Sequence, residues 1–293
     1  MDILSAGDFS LLSEDAVARY RAEGFVVLRG LLGPQNIVAC AQTLGDLASG
    51  RMAVGQSKVM FEPGVDAAAL SPEERELRVR KYMDFCDDAP ALAAAAMSRR
   101  LHAAIDQLLG TGRVLFQEMA LVKPPRIGSE KPWHQDAAYF RVTDPSLIIG
   151  VWIALDPALA MNGCMELVAG SHLDGPVPHV HENDFNRCRI TPPNVRSRER
   201  VAIEMQPGDA LLFHSLLHHF TAPNKSDLRR RAIQFHYHQR GAVWGSLEEH
   251  RRLYHEADGS YAGCTLPHAH LADANYVHRE GLIREIVPVD TSA

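Results

Sequence analysis

The distribution of apolar and polar residues divides the chain into a helical first part and a strand-rich second part. Helical spacing and helix-ending signals predict helices over residues 14–22, 34–50 and 91–109. A fourth helix is predicted to open at Ser71-Pro72, where a capping residue precedes proline and two acids. Between the first two helices, the apolar run over residues 25–28 predicts a buried strand.

From Arg113 the pattern becomes that of strands covered on both faces. One face is predicted to hold Leu115, Gln117, Met119 and Leu121, and the other Val114, Phe116, Ala120 and Val122. Further strands are predicted over residues 147–155, 164–168, 201–205, 210–213 and 230–238. Helices followed by short strands with Gly and Pro turns favour a mainly β protein with flanking helices. We predict a jelly-roll, cupin-like barrel (a double-stranded β-helix) supported by N-terminal helices.

A single domain over residues 1–293 is expected at this length. We divide it into an N-terminal helical support (about 1–112), a jelly-roll core (about 113–240) and a C-terminal extension (241–293). The polar, proline-containing segment 173–200 is too long for a hairpin, so it is a candidate active-site lid.

Composition limits the kind of partner. The net charge of -6, from 30 Lys+Arg and 36 Asp+Glu, gives no basic excess for nucleic acid or an anionic membrane surface. The N-terminus has no cationic segment followed by an apolar run, and no apolar stretch of about 18 residues occurs. We therefore expect a cytoplasmic protein with a small-molecule substrate, and the oligomeric state stays open.

The cysteines do not predict a disulfide framework or a zinc site, because they are odd in number, scattered and free of Cys-x-x-Cys spacing. We expect them to be buried thiols in a reducing compartment. They are Cys40, Cys86, Cys164, Cys188 and Cys264.

The candidate chemistry centres on Trp133-His134-Gln135-Asp136. In an extended chain His134 and Asp136 point to the same side and can bind one metal ion. A third ligand is expected downstream, and three histidines offer it: His214, His218 and His219. Two histidines and one carboxylate with open positions are typical of non-haem Fe(II) oxygenases. A surface turn pair is the ordinary alternative for His134 and Asp136 taken alone.

A series of short motifs runs in one order along the chain. They are Lys123-Pro124-Pro125, Trp133-His134-Gln135-Asp136, Asn162-Gly163-Cys164, Gly170-Ser171-His172, Pro207-Gly208-Asp209, Asn224-Lys225-Ser226 and Arg230-Arg231-Ala232. This series resembles the phytanoyl-CoA dioxygenase (PhyH) family of Fe(II)- and 2-oxoglutarate-dependent oxygenases. The resemblance covers roughly residues 81–237.

The resemblance implies that His134, Asp136 and His219 are the iron ligands. It favours His219 because, in the family, the ligand follows an earlier histidine by five positions. The chain departs from the family at His218 and Phe220, where an apolar and a small residue are usual.

The resemblance also implies which residues bind 2-oxoglutarate. Arg230 would hold the far carboxylate, which suits a planar guanidinium that stays charged when buried. Lys81, Met119 and Trp152 would be further contacts, although Trp152 and Met119 also fit as ordinary packed residues. Strand alternation places Ala232, Gln234 and His236 on the same face as Arg230, and Gln117, Gln234 and His236 are possible lining residues. The remaining histidines are interpreted as ordinary polar residues.

The function implied is a dioxygenase that uses Fe(II), 2-oxoglutarate and O2, with ascorbate as reductant in vitro. It would hydroxylate an aliphatic carbon of a small-molecule or acyl substrate and release succinate and CO2. Desaturation, ring formation, epimerisation or demethylation would use the same site. Halogenation is disfavoured because Asp136 occupies the position that must be vacated for chloride. The alternative from another class is a non-catalytic metal- and 2-oxoglutarate-binding protein of the same fold. Arg230 argues against a metal site kept only for structure, because such a site needs no anion clamp.

Overall fold

The computed structural model describes residues 12–182, 187–191, 195 and 200–261. The helices in this part are α1 (Glu14–Glu23), α2 (Pro34–Ser49), α3 (Pro72–Glu76), α4 (Pro90–Ala96), α5 (Arg99–Leu109) and α6 (Leu247–Leu253). The strands are β1 (Phe25–Leu28), β2 (Lys58–Phe61), β3 (Val79–Met83), β4 (Arg113–Lys123), β5 (Lys131–His134), β6 (Ile148–Ala154), β7 (Met165–Val168), β8 (His179–Glu182), β9 (Arg187–Ile190), β10 (Arg200–Ile203), β11 (Ala210–His214), β12 (His219–Thr221) and β13 (Arg230–Gln239).

The strands form two main antiparallel sheets, as the jelly-roll prediction requires. The larger sheet has the order β1-β11-β6-β13-β4-β3-β2, and the smaller has the order β10-β7-β12-β5. The sheets face each other across a buried cluster that joins Trp152 and Leu211 of the larger sheet to Met165 and Leu167 of the smaller. The functional residues discussed below lie between these sheets.

The N-terminal helices cover the other face of the larger sheet. Their buried side chains, such as Leu44 and Leu101, share one apolar core with Ile233 and Phe235 of β13. Burying a side chain of this size contributes roughly 1.5–3 kcal/mol. The helices therefore hold β13 in place from behind, while its opposite face is directed towards the smaller sheet.

Local signals in the sequence placed several helix ends correctly. The Ser13 hydroxyl accepts a hydrogen bond from the backbone N–H of Ala16, and Gly24 ends α1 at φ 86°. The prediction of one helix over residues 91–109 is wrong in one respect, because the helix is interrupted between α4 and α5. Ser98 caps α5 there by accepting from the N–H of Leu101.

The predicted face assignment of β4 is wrong at its beginning. Opposite β13, Gln117 pairs with His236 but Leu115 pairs with Tyr237, so Phe116 is an extra residue at a β-bulge. A bulge changes which side chains share a face. Leu115 consequently packs on the helix-facing core, and the Phe116 ring lies 6.0 Å from that of His236 on the other face.

The predicted lid segment 173–200 contains a short hairpin, contrary to expectation. Strands β8 and β9 pair antiparallel from His179 opposite Ile190 to Glu182 opposite Arg187. Residues 183–186, 192–194 and 196–199 of this segment lie outside the described residues. So does most of the predicted C-terminal extension, of which the structure describes residues 241–261 with helix α6.

The cysteine expectation holds in part. Cys40 and Cys164 are buried free thiols, and Cys86 is a free thiol that is only partly buried. Cys188 is disulfide-bonded, so the prediction of a free thiol there is wrong. Cys264 lies outside the described residues. Among the described helices, none is both long and apolar enough to cross a membrane.

Candidate active site

His134, Asp136 and His219 meet between the two sheets. In the described part of the chain, they form the group of His, Cys, Asp or Glu side chains that could hold a metal ion, with their ligand atoms within 4.8 Å of one another. Asp136 Oδ1 lies 3.3 Å from His134 Nε2 and 3.5 Å from His219 Nε2. All three are at least 95% buried. Pairing of β5 with β12 brings His134 directly opposite His219.

Both histidines are oriented by their own local backbone. The Nδ1 atom of His134 donates to the carbonyl of Pro132 at 2.8 Å, and that of His219 donates to the carbonyl of Leu217 at 2.9 Å. Donation through Nδ1 leaves each Nε2 as an acceptor that faces Asp136. Burial, then the neighbouring His219 and Lys131, holds the pKa of His134 well below its ordinary value. A neutral imidazole is the form that binds metal.

The structure distinguishes among the three downstream histidines. His219 joins His134 and Asp136, with its ring centroid 4.0 Å from that of His134. His214 instead packs against His172 at 4.9 Å. His218 is buried but is not in the group that could hold the metal. The pairing of β12 with β5 thus places His219, the residue that the family spacing favours, in the candidate metal group.

The second oxygen of Asp136 is held by β13. His236 Nε2 donates to Oδ2 at 2.8 Å, and Gln234 Nε2 donates to the same oxygen at 3.1 Å. Burial alone would raise the pKa of Asp136, but nearby His219 and His236 hold it well below its usual range. Asp136 is therefore a carboxylate, the form that binds metal.

Arg230 and Trp152 form a second feature of the site, on neighbouring strands. Arg230 is 2% exposed, and its guanidinium lies 5.2 Å from the centre of the Trp152 ring. One guanidinium nitrogen donates to the carbonyl of Leu121 at 3.0 Å. Among the described residues, neither Arg230 Nε nor Trp152 Nε1 has a hydrogen-bond acceptor. Unsatisfied buried donors are costly, and a carboxylate ligand would satisfy them.

Burial lowers the pKa of Arg230 to about 10, with Cys164 and Asp156 acting in the opposite direction. The side chain stays charged at neutral pH. Its neighbours Arg229 and Arg231 point to the other face, where Arg229 pairs with Glu76 and Arg231 with Asp156. The predicted alternation of β13 is confirmed by these contacts.

The remaining predicted co-substrate residues lie on the same side of the larger sheet. Met119 is buried opposite Gln234 in the pairing of β4 with β13. Lys81 is half-buried on β3. Burial and the neighbouring Arg80 lower its pKa to about 8, against the opposing charge of Asp136. Gln117, another predicted lining residue, is buried opposite His236.

The contact between Gln135 and His179 at the site was not predicted from the sequence. Gln135, between the two N-terminal ligands, donates through its amide to the carbonyls of Gly175 and Leu216. Its backbone N–H donates to His179 Nε2 at 2.9 Å. His179 is therefore a buried structural residue and not the ordinary polar residue we predicted. The two residues tie the start of segment 173–200 to the ligand-bearing stretch, and nothing in the local sequence signals this long-range pairing.

A second pair, Lys131 and Tyr139, was also missed. The Lys131 amino group donates to the Tyr139 hydroxyl, and the Tyr139 ring meets that of His134 edge-on at 6.1 Å. Burial and nearby Lys81 lower the pKa of Lys131 to about 7, opposed by Asp136. The pair places an amino group and a hydroxyl next to the His134 ring of the candidate metal centre.

The departure from the family at Phe220 has a packing explanation. Its ring stacks on that of Trp133 at 5.4 Å with an interplanar angle of 17°. The Arg200 guanidinium lies over the Trp133 ring, 5.1 Å from its centre. Strands β5 and β12 are thus clamped together next to His134 and His219, which lie one residue away on the other face.

Two histidines and a carboxylate grouped between jelly-roll sheets, beside a buried arginine, define a metal-dependent oxygenase site of the non-haem iron type. The comparisons agree with this class. The family model "Phytanoyl-CoA dioxygenase (PhyH)" matches residues 20–232. The chain belongs to the phytanoyl-CoA dioxygenase family.

Individual relatives support the same placement. A probable phytanoyl-CoA dioxygenase of Caenorhabditis elegans is 25% identical over 238 residues, which cover 78% of this chain and 76% of the relative. Among solved structures, the 2-oxoglutarate-dependent carbocyclase SnoK from nogalamycin biosynthesis has a TM-score of 0.63 at 21% identity, covering 81% of this chain and 89% of its own. The epimerase SnoN, solved with Fe3+, α-ketoglutarate and nogalamycin RO, has a TM-score of 0.62 at 21% identity, with 87% and 95% covered. These structures share the fold.

Proposed function

We propose that this protein is an Fe(II)- and 2-oxoglutarate-dependent dioxygenase that oxidises an aliphatic C–H bond of a small-molecule or acyl substrate. Hydroxylation is the proposed outcome, with release of succinate and CO2. Iron, 2-oxoglutarate and O2 supply the oxidation when bound, and the protein supplies position and a dry site. We also propose that residues 1–293 form a single domain of this kind.

One observation carries the proposal: three buried metal-ligand side chains are grouped together, and a buried pair of donors without acceptors lies on the face of the larger sheet from which Gln234 contacts Asp136. The ligands fit Fe(II), because two neutral imidazoles and a carboxylate are the donor set of non-haem iron oxygenases. Arg230 and Trp152 fit the carboxylate of a keto acid. A purely structural metal site has no use for an arginine clamp, so this arrangement favours a metal site that binds a keto acid.

The chain's own residues would orient both groups. His134, Asp136 and His219 would hold the metal on one face, and Arg230 would fix the far end of 2-oxoglutarate. Buried Phe213 packs 5.1 Å from the His219 ring and excludes water from that side. The proposed substrate class covers acyl compounds and other small molecules, since the relatives include phytanoyl-CoA dioxygenases and the fold is shared by a carbocyclase and an epimerase.

The test is to add Fe(II) and 2-oxoglutarate to the purified protein without oxygen and record the visible absorption. A keto acid chelated to ferrous iron gives a weak charge-transfer band, which we expect for wild type and not for His134→Ala or Asp136→Ala. Retention of full intensity by both variants would place the metal elsewhere. Succinate release in air, screened over candidate substrates, then separates an enzyme from a non-catalytic binding protein.

A further inference from the structure

Asp136 differs from the two histidines in how its orientation is fixed. Each histidine is held by a backbone carbonyl two residues before it. Asp136 is held instead by two side chains of another strand, Gln234 and His236. Its orientation therefore depends on residues that lie about 100 positions away in the sequence and do not themselves belong to the ligand group.

We propose that Gln234 and His236 are positioning residues that keep Asp136 a one-oxygen ligand and so preserve an open position on the metal. This inference rests on the proposed function, because it concerns the same metal site. Residues that orient metal ligands commonly matter nearly as much as the ligands.

The hydrogen bonds give the reason. A carboxylate oxygen offers about two lone-pair positions. Both donors, His236 Nε2 at 2.8 Å and Gln234 Nε2 at 3.1 Å, converge on Oδ2. That oxygen is thereby occupied, whereas Oδ1 faces the Nε2 atoms of His134 and His219. Rotating Asp136 so that both oxygens bind the metal would break two buried hydrogen bonds.

The donors are themselves held rigidly. On β13, Gln234 lies opposite Trp152 and His236 lies opposite Gly150. The His236 ring packs against the aromatic rings of Phe140 at 5.0 Å and Phe116 at 6.0 Å, which also contact each other. Phe116 reaches this position because of the β-bulge in β4. The same strand begins with Arg230, so β13 would fix both the position of the co-substrate clamp and the orientation of Asp136.

The experiment uses Mn(II), which takes the same nitrogen and oxygen ligands and whose effect on water proton relaxation reports how many waters it binds. The main variant is Gln234→Met/His236→Met, which removes both donors at similar volume. The matched control is His238→Met. His238 is equally buried on the same face of β13 and also packs on Phe116, but it bonds the carbonyl of Gln239.

We expect the double variant to bind Mn(II) roughly 10- to 100-fold more weakly than wild type. The relaxation enhancement per bound Mn(II) should fall by roughly one third, as one of about three open positions is taken by the second oxygen of Asp136. His238→Met should resemble wild type in both quantities. Unchanged affinity, or weaker affinity with unchanged relaxation per ion, would overturn the inference.

Two further comparisons separate loss of folding, or absence of the metal site, from the proposed effect. If the double variant does not fold, as judged by thermal unfolding of the metal-free protein, the comparison becomes His236→Met against His236→Gln. A glutamine amide can take the place of the imidazole Nε2–H, so His236→Gln should restore most of the Mn(II) affinity and relaxation lost in His236→Met. Equal behaviour of these two variants would contradict the proposal. A wild-type protein that binds no Mn(II) would contradict the proposed metal site itself.

Discussion

Replacing Arg230 should separate co-substrate binding from metal binding. Arg230→Met keeps most of the side-chain stem but removes the charge and the donors. Loss of one partner of a buried charged contact costs roughly 2–5 kcal/mol, which is about 30- to several-thousand-fold in affinity. We therefore expect the 2-oxoglutarate concentration for half-maximal charge-transfer absorption to rise at least about thirtyfold, with Fe(II) affinity near that of wild type.

The structure adds a second expectation for the same variant. Arg230 lies near buried Lys123, and burial together with the charge of Arg230 holds the pKa of Lys123 well below its usual value. Removing the arginine relieves this repulsion. Loss of the hydrogen bond to the Leu121 carbonyl acts in the opposite direction, so the metal-free Arg230→Met protein should unfold at a temperature close to that of wild type, although its co-substrate affinity is much reduced.

Neighbouring Arg229 supplies the control. Its guanidinium pairs with Glu76 on the opposite face of β13, and partly exposed ion pairs of this kind contribute about 0–1 kcal/mol. Arg229→Met should leave 2-oxoglutarate binding unchanged, and Arg230→Lys should recover only part of it because an ammonium lacks the planar pair of donors. A large effect of Arg229→Met, or normal 2-oxoglutarate binding by Arg230→Met, would refute the assignment of Arg230 as the carboxylate clamp.

Three further predictions concern the histidines and the packing around them. His219→Ala should abolish the Fe(II)–2-oxoglutarate band while His218→Ala keeps a substantial part of it, and the opposite pattern would move the ligand by one residue. Burial first, with neighbouring charges, lowers the pKa of His214 and His250 to about 4 and of His179 to about 3. Below about pH 6.5 the unfolded chain therefore binds more protons than the folded protein does. In urea unfolding of the metal-free protein, the free energy of unfolding should fall from pH 6.5 towards pH 4 by on the order of 3 kcal/mol per group. His214→Asn should flatten this dependence and exposed His255→Asn should not; a flat wild-type profile would refute the linkage. Gly150→Ala would place a methyl group 2.4 Å from Phe213, whose ring contacts His219. We expect a loss of roughly 1–3 kcal/mol in unfolding free energy together with weaker Mn(II) binding. Wild-type values of both quantities would show that Phe213 moves freely.

The amino-acid sequence by itself determined features that depend on short-range chain geometry. The two-residue repeat of a strand places His134 with Asp136 and separates Arg230 from Arg229 and Arg231. Helix caps such as Ser13 likewise act within three or four residues. These predictions needed no knowledge of which strands are neighbours.

Tertiary structure decided whatever depends on contacts between distant segments. The pairing of β5 with β12 brings His219 to the site in place of His214 or His218. A bulge at Phe116 reverses the face pattern at the beginning of β4, and no local residue preference predicts this bulge. Hydrogen bonds to the second oxygen of Asp136 come from β13, about 100 residues later. Side-chain alternation fixes which way a residue points, but only strand order and register determine what it meets.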